Sequence, residues 1–313
     1  MSTTSETQLI TLGTAAGPAI RGRENGMASA VVVDGKYYMV DFGLGCVRAA
    51  HEAGLRGQDF VAGFITHLHS DHVGELPAYL LWNWGEPVDG FTTPVYLYGP
   101  GRDPGHARGE KLSGTSDLVS HTLAAFSYDL DIRVADEARP EMTSLLDVRE
   151  IVLPDAARGG GNRPFTVYQD ERVKVSAVLV KHPPVYPAFA FRFDTENGSV
   201  TFSGDTAECP ELVELAKGTD ILVHEAVNLE FFTSMGFSST FINHQRESHT
   251  SPEGAGRIAD ACSAGQLVLS HLAGVATAEE WRERAASTFN GPVIVATSGQ
   301  RFSVARETTV ARI

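Results

Sequence analysis

Four side chains of the kinds that bind metal ions lie within six residues of one another: His67, His69, Asp71 and His72. They follow residues 60–66, a short apolar segment that predicts a buried strand. Open α/β sheets place their sites at the carboxyl ends of strands, so we expect these side chains on a loop at such an end. Imidazole and carboxylate are ligands for zinc and neighbouring first-row metals. One such loop can contribute to two metal sites about 3.5–4 Å apart, an arrangement that promotes hydrolysis.

The segment His67-Leu-His-Ser-Asp-His72 resembles the signature motif of the metallo-β-lactamase superfamily. The resemblance covers nearly the whole chain and implies an α/β fold, the four-layer αβ/βα sandwich of that superfamily. It also implies that later strands supply a third histidine to each metal cluster and a carboxylate that bridges the two metals.

Three later segments predicted to be strands are each followed by a side chain of the required kind: His182, Asp205 and His271. The resemblance implies that His67, His69 and His182 hold one metal, that Asp71, His72 and His271 hold the other, and that Asp205 bridges them. Two divalent ions are therefore the expected cofactors, with Zn²⁺ favoured by ligand type and Mn²⁺ or Fe as alternatives. Asp41 also follows an apolar strand, and we expect it to hold a ligand histidine by its far nitrogen.

His249 and Glu225 are the candidates for protonating the leaving group, and Asp71 is counted with them as a candidate catalytic residue. The motifs His224-Glu-Ala and His249-Thr-Ser-Pro resemble the ribonuclease Z and arylsulfatase-like branch of the superfamily. In ribonuclease Z this glutamate and this histidine form the proton-donating pair, which the resemblance carries to Glu225 and His249. A capping box of Thr250 and Glu253 predicts that a helix begins directly after His249.

One feature departs from the ribonuclease Z pattern. That enzyme carries a long tRNA-gripping arm between the third histidine and the bridging aspartate, whereas here a single predicted hairpin separates His182 from Asp205. Residues 128–137 look more like the arylsulfatase-type members. The resemblance therefore favours the arylsulfatase-like side of the branch.

Composition limits the partners and the compartment. The 313 residues carry a net charge of −14 and no basic patch, so nucleic acid is not an expected partner. Three widely spaced cysteines make a disulfide framework improbable. The polar N-terminus does not have the pattern of a signal peptide, and no apolar run approaches the length of a membrane span, so a cytoplasmic location is expected. The oligomeric state is left open, a homodimer included.

The chain is expected to form one domain over residues 1–313, with an irregular insertion at about 102–164 that partly covers the site. Residues 228–247 are expected to be mobile. Trp82 and Trp84 are open to two interpretations, a wall of the substrate pocket or part of the core. The remaining histidines have no strand-end setting, and their default is surface or core: His51, His106, His121 and His244.

These features together predict a dinuclear metal-dependent hydrolase of a small ester. The expected nucleophile is a metal-bridging hydroxide, because even one zinc lowers the pKa of bound water to about 7. The bond could be a sulfate ester, a phosphodiester, a carboxylic ester or a lactone, and the Trp and Phe content favours an aromatic or apolar substrate. Two alternatives remain: a ribonuclease Z-like phosphodiesterase acting on RNA, and a non-hydrolytic metal-binding or redox member.

Overall fold

The computed structural model describes residues 6–102, 112–154 and 162–305, and its strands form two seven-stranded sheets. The first sheet contains β1 (Thr7–Gly13), β2 (Ala28–Val33), β3 (Lys36–Val40), β4 (Phe60–Phe64), β5 (Val95–Gly99), β6 (Leu146–Glu150) and β14 (Gln300–Ser303). The second contains β7 (Phe165–Gln169), β8 (Val173–Leu179), β9 (Phe189–Thr195), β10 (Ser199–Phe202), β11 (Ile221–Val227), β12 (Gln266–Ala273) and β13 (Val293–Val295).

The helices of the described ranges lie between these strands in the chain. They are α1 (Cys46–Glu52), α2 (Ser70–Val73), α3 (Leu76–Trp82), α4 (Thr115–Ala125), α5 (Ser127–Glu137), α6 (Met142–Leu145), α7 (Pro210–Ala216), α8 (Leu229–Ser234), α9 (Ser239–Ser248), α10 (Pro252–Ala261) and α11 (Ala278–Ala286). Two short 3₁₀ turns occupy Gly57–Asp59 and Glu86–Val88.

Each sheet divides into an antiparallel half and a parallel half. The first sheet has the order β14-β1-β2-β3-β4-β5-β6, antiparallel up to β3 and parallel from β3 onward. The second has the order β13-β12-β11-β10-β9-β8-β7, parallel up to β10 and antiparallel thereafter. Because parallel strands end at the same edge of a sheet, the loops after β3, β4, β10 and β12 are gathered where ligands usually bind.

An aromatic core lies between the sheets. The ring of Phe64 on β4 stacks on Tyr98 with the centroids 5.4 Å apart, and it packs edge-on against Phe191 and Phe193 of β9 at 5.6 and 5.3 Å. All four side chains are almost fully buried. Burial on this scale contributes about 1.5–3 kcal/mol per large side chain, so the core fixes the two sheets against each other.

Helices cover the outer face of each sheet. Ala49 of α1 and Tyr79 of α3 belong to the cluster on the first sheet, while Leu212 of α7 and Ile258 of α10 belong to the cluster on the second. The layers are therefore helix, sheet, sheet and helix, which confirms the predicted four-layer αβ/βα sandwich. No helix in the described ranges is long and apolar enough to cross a membrane.

Two regions are more regular than the sequence predicted. The described part of 102–164 forms α4, α5, α6 and the edge strand β6. Residues 103–111, which include His106, and residues 155–161 lie outside the described ranges. The stretch 228–247, expected to be mobile, forms α8 and α9, whose first turns are capped by the side chains of Asn228 and Ser238. That the region 102–164 is an insertion stays a prediction.

Trp82 and Trp84 differ in their surroundings. Trp84 is fully buried and donates its indole N–H to the carbonyl of Pro140 at 2.9 Å, so it belongs to the core. Trp82 at the end of α3 is 72% exposed.

Candidate metal centre

The first group of candidate ligands combines both sheets. His67 and His69 follow β4 of the first sheet, and His182 follows β8 of the second. His69 Nδ1 lies 2.9 Å from His67 Nε2 and 3.4 Å from His182 Nε2. Asp205 Oδ2 completes the group at 3.8 Å from His67 Nε2 and 4.0 Å from His182 Nε2. Four ligand-type atoms thus surround one position.

The second group lies against the first and shares Asp205 with it. Asp71 Oδ2 is 3.8 Å from His72 Nε2 and 3.4 Å from His271 Nε2. Asp205 reaches this group with both oxygens: Oδ1 is 3.4 Å from His72 Nε2, and Oδ2 is 3.4 Å from His271 Nε2. The structure therefore brings all seven predicted ligands together, with Asp205 between the two groups.

The spacing and the unmet hydrogen-bonding needs both fit metal ions. Tetrahedral ligands about 2.0–2.1 Å from a zinc ion lie about 3.3 Å from one another, close to the separations seen here. Buried polar atoms almost always have a partner. Yet His72 Nε2 and Asp205 Oδ1 are buried and make no hydrogen bond to the part of the chain that the structure describes. A cation between them would satisfy both atoms.

Special backbone geometry aims two of these side chains. His271 interrupts the ladder of β12 with β11, because Glu225 pairs with Ser270 and Ala226 pairs with Leu272. The resulting bulge places His271 at φ 45°, a conformation that non-glycine residues seldom adopt. Next to Asp205, Gly204 has φ 58°, and a Cβ there would meet the carbonyl oxygen of Phe189 at 2.5 Å. Only glycine fits at that turn.

Neighbouring groups hold the imidazoles in place. Asp41 accepts a hydrogen bond from His72 Nδ1 at 2.7 Å, and it is itself held by the amide and hydroxyl of Thr66, each at 2.8 Å. His182 Nδ1 donates to the carbonyl of Ser248 at 3.0 Å. The contact predicted for Asp41 is therefore present, and it fixes which nitrogen of His72 faces the cluster.

Burial and charge set the protonation of the cluster. Burial lowers the pKa of His67 well below its ordinary range, and it lowers the pKa of His182 to about 4 against the opposing charge of Asp205. Both imidazoles are thus neutral near pH 7, the form that binds metal. Burial alone would raise the pKa of Asp205, but the charges of His271 and His72 outweigh it and hold that pKa well below its ordinary value.

His249 and Glu225 form a buried pair beside the cluster. His249 Nδ1 lies 2.9 Å from Glu225 Oε1 and 4.0 Å from Asp205 Oδ2. Glu225 Oε1 also accepts from the amide of Thr206 at 2.7 Å, which fixes the carboxylate. Burial lowers the pKa of His249, but the charge and hydrogen bond of Glu225 outweigh burial and raise it to about 9. His249 is therefore an acid that keeps its proton at neutral pH.

The capping box predicted after His249 is absent. Ser251 caps α10 instead, accepting from the amide of Gly254 at 3.1 Å. The hydroxyl of Thr250 donates to the carbonyl of Thr206 at 2.6 Å, and the carboxylate of Glu253 pairs with Arg284. Both side chains are thus engaged by other parts of the fold. The predicted helix itself is present as α10, which begins at Pro252, and His249 is the C-cap residue of α9.

Three contributors to the site were not predicted from the sequence: Thr66, Ser248 and His244. The ring of His244 lies 6.0 Å from His249 and 6.4 Å from His182, between centroids, and its Nδ1 lies 3.2 Å from Ser248 Oγ. The spacing in the sequence was a usable signal. His244 and Ser248 are four residues apart, and residues so spaced on a helix are neighbours.

Comparison with known proteins supports the same fold and chemistry. A family model described as "Beta-lactamase superfamily domain" matches residues 136–272, and one described as "Anti-Pycsar protein Apyc1" matches residues 7–84. The ribonuclease Z of Mycobacterium avium is 30% identical over 276 residues, which are 86% of this chain and 88% of the relative. That of Mycobacterium bovis is 28% identical over 282 residues, covering 89% and 92%.

Solved structures agree on the fold. The short form of human tRNase Z superposes with a TM-score of 0.66 at 20% identity, covering 95% of this chain and 99% of that one. The metallo-beta-lactamase fold protein YhfI from Bacillus subtilis gives 0.65 at 18% identity, with the same coverage.

These relatives overturn one prediction from the composition. Nucleic acid was not an expected partner because of the charge of −14, yet relatives that match almost the full chain are named ribonuclease Z. The net charge is a sum over the whole surface, whereas a substrate phosphate meets the local field, to which two divalent cations would contribute most. Net charge was therefore the wrong quantity for excluding this class of substrate.

Proposed function

The chain belongs to the metallo-β-lactamase superfamily, and we propose that it is a ribonuclease Z-like phosphodiesterase that cleaves RNA. It is a metal-dependent hydrolase of phosphodiester or ester bonds, and the relatives that extend over most of its length are named ribonuclease Z. These relatives give no support to the predicted small ester or to an arylsulfatase activity.

The observation that carries this proposal is the His249–Glu225 pair, 2.9 Å apart and next to Asp205. Hydrolysis of an RNA phosphodiester expels a ribose oxygen, a poor leaving group that needs a proton. An acid held beside the cluster, with a pKa raised to about 9, meets this need at neutral pH. An aryl ester, whose leaving group is stable as an anion, would not require such an acid.

The candidate ligands would bind the metals, whereas this pair would supply the proton. His67, His69 and His182 would hold one metal, Asp71, His72 and His271 the other, and Asp205 would bridge them. Bound divalent metals supply Lewis acidity, which activates water and neutralises the charge of the phosphate.

His249 provides the proton at a defined atom. Its Nδ1 is engaged by Glu225, so the Nε2–H is the group that would donate to the departing ribose oxygen. Glu225 in turn keeps the ring in this tautomer and stabilises its charged form. Asp41 has a similar orienting role in the second ligand group. It engages His72 Nδ1 and so leaves Nε2 for the metal.

The test compares RNA with other esters. The zinc-reconstituted protein should shorten a structured RNA that carries a 3′ extension and should hydrolyse bis(4-nitrophenyl) phosphate, while an aryl sulfate and an aryl carboxylic ester are turned over far more slowly. Asp205→Ala should lose both metal binding and turnover, because Asp205 contacts both ligand groups. The proposal is refuted if protein with two metals bound leaves every RNA intact, or if metal-free protein is fully active.

A further inference from the structure

A groove of about 380 Å³ opens beside His69, and we call it the Tyr186 groove. Its lining includes Leu68 and Val73 from the metal-binding segment. It also includes Leu118 of α4 and the segment Pro184–Pro187, which follows His182. The volume is within the range of small-ligand sites, about 300–1,000 Å³.

The walls of the Tyr186 groove determine what it can bind. The side chains of its described lining are mostly those of Leu, Val and Pro, and a charged group placed against them would lose water without gaining a partner. The hydrogen-bonding side chains are His69, Ser113 and Tyr186. A ligand that fits the described lining is therefore largely apolar, with a few polar atoms.

The position of the groove selects among such ligands. His69 belongs to both the groove and the first ligand group, so a molecule in the groove is next to the phosphate that the cluster would hold. Tyr186 is 44% exposed and offers an aromatic ring at the rim. In RNA, the uncharged planar group closest to each phosphate is the nucleobase, which stacks well on aromatic side chains.

We propose that the Tyr186 groove binds the nucleobase of the nucleotide next to the cleaved phosphate, with the base stacked on Tyr186. This inference rests on the proposed phosphodiesterase function and adds a specificity site to it. The groove then makes the protein prefer a nucleoside phosphodiester over an ester that lacks a base.

Two chromogenic esters with the same leaving group test this preference: thymidine 5′-(4-nitrophenyl phosphate) and methyl 4-nitrophenyl phosphate. The zinc-loaded protein should show a higher kcat/KM for the thymidine ester. Because base–aromatic stacking is worth about five- to 150-fold and the ring is partly exposed, Tyr186→Ala should reduce the ratio of the two kcat/KM values about five- to tenfold. Tyr186→Phe retains the ring and should leave the ratio near that of the wild type.

A second variant changes another residue of the groove lining. Ser113 is an exposed lining residue, so Ser113→Trp should fold normally, fill the groove and lower kcat/KM for the thymidine ester alone. Tyr128→Ala, which removes a tyrosine that is 82% exposed on α5, is the matched control and should change neither ester. Metal content, measured on every variant, should stay at the wild-type value.

The outcomes separate the two proposals. A ratio that is the same in wild type, Tyr186→Ala and Ser113→Trp overturns the base site while leaving the phosphodiesterase intact. If neither ester is cleaved by protein with two metals bound, the proposed function fails. Calorimetry with thymidine 5′-monophosphate and methyl phosphate then tests separately whether the groove binds a base. Tighter binding of the nucleotide that is lost in Tyr186→Ala supports the base site, and equal binding overturns it.

Discussion

Replacing Glu225 by Gln tests the proposed proton donor through its pH dependence. The amide keeps the shape of the carboxylate and can still accept from His249 Nδ1, but the negative charge is gone. Since the Glu225 charge is the largest effect that raises the pKa of His249 against burial, the variant should have a His249 pKa that falls back toward the ordinary 6.5. Asp205 also raises this pKa, but bound metal would compensate its charge.

The size of the effect follows from the two pKa values. At pH 8 a group with a pKa of about 9 is about 90% protonated, whereas a group at 6.5 is about 3% protonated, so the acid form falls about thirtyfold. At pH 6 both are mostly protonated, and the two proteins should differ by less than about twofold. A raised pKa keeps the acid available through neutral pH and loses it only as the pH rises through that value.

The assay is a pH–rate profile of kcat/KM between pH 5.5 and 9 on two substrates. RNA needs a protonated leaving group, so its cleavage by Glu225→Gln should decline from about pH 6, while the wild type holds its rate to higher pH. Hydrolysis of bis(4-nitrophenyl) phosphate expels a stable anion and should show little of this difference. Metal content, determined in parallel, should be unchanged.

Two results would refute the reasoning. An equal loss of RNA cleavage at pH 6 and pH 8 would mean that Glu225 acts through structure rather than through the charge of His249. An equal pH-dependent loss on both substrates would mean that the titrating group activates the attacking water instead of protonating the leaving oxygen.

Three further variants test the support of the cluster and the core. Asp41→Ala removes the acceptor of His72 Nδ1, and competition with a chelator should show metal affinity about 10–100-fold weaker, whereas unchanged affinity would contradict the orienting role. In Gly17→Ala the new Cβ would lie 2.6 Å from the Cβ of Asp71, whose carboxylate the Gly17 amide contacts at 3.0 Å. Because Asp71 is a candidate ligand that would have to move, one of the two metals should be lost, and elemental analysis would reveal that loss. Phe64→Ala removes a buried ring between the sheets and should lower the free energy of unfolding by about 3–5 kcal/mol in urea titrations; a loss under about 1 kcal/mol would argue against the described packing.

The fold was predictable where local chemistry and the periodicity of apolar residues agree. Asp34-Gly35 between two apolar runs predicts a two-residue hairpin, and the structure has both residues at positive φ, 51° and 79°, between β2 and β3. The strands that precede His67, Asp205 and His271 are short apolar runs with polar ends, so the candidate ligands could be identified without knowing how the sheets pack.

The regions that were missed depend on tertiary contacts. Thr250 and Glu253 match a capping box, but Thr206 and Arg284 engage them, and such partners are not visible in the local sequence. The polar helix α9 carries little apolar periodicity, and its end is tied to the site by Ser248, whose carbonyl accepts from His182. Local propensity therefore predicted a mobile segment, whereas long-range hydrogen bonds fix a helix there.

The bulge at His271 was not predictable for the same reason. Nothing in the run Leu267-Val-Leu-Ser270 indicates that the next residue leaves the ladder, and this run predicts that the strand ends at Ser270. In the structure β12 continues to Ala273, so the ligand candidate lies within a strand rather than after it.

The division of the candidate ligands between the two sheets has a consequence for folding. Each group combines side chains of the first sheet with side chains of the second, so a bound ion acts as a cross-link between the halves of the sandwich. Neither half alone could form the site, and metal binding is linked to the docking of one half on the other. By mass action, an ion present at about a thousand times its dissociation constant would add about 4 kcal/mol per site to the stability of the folded state. The metal centre would then serve as a structural staple as well as a reaction site.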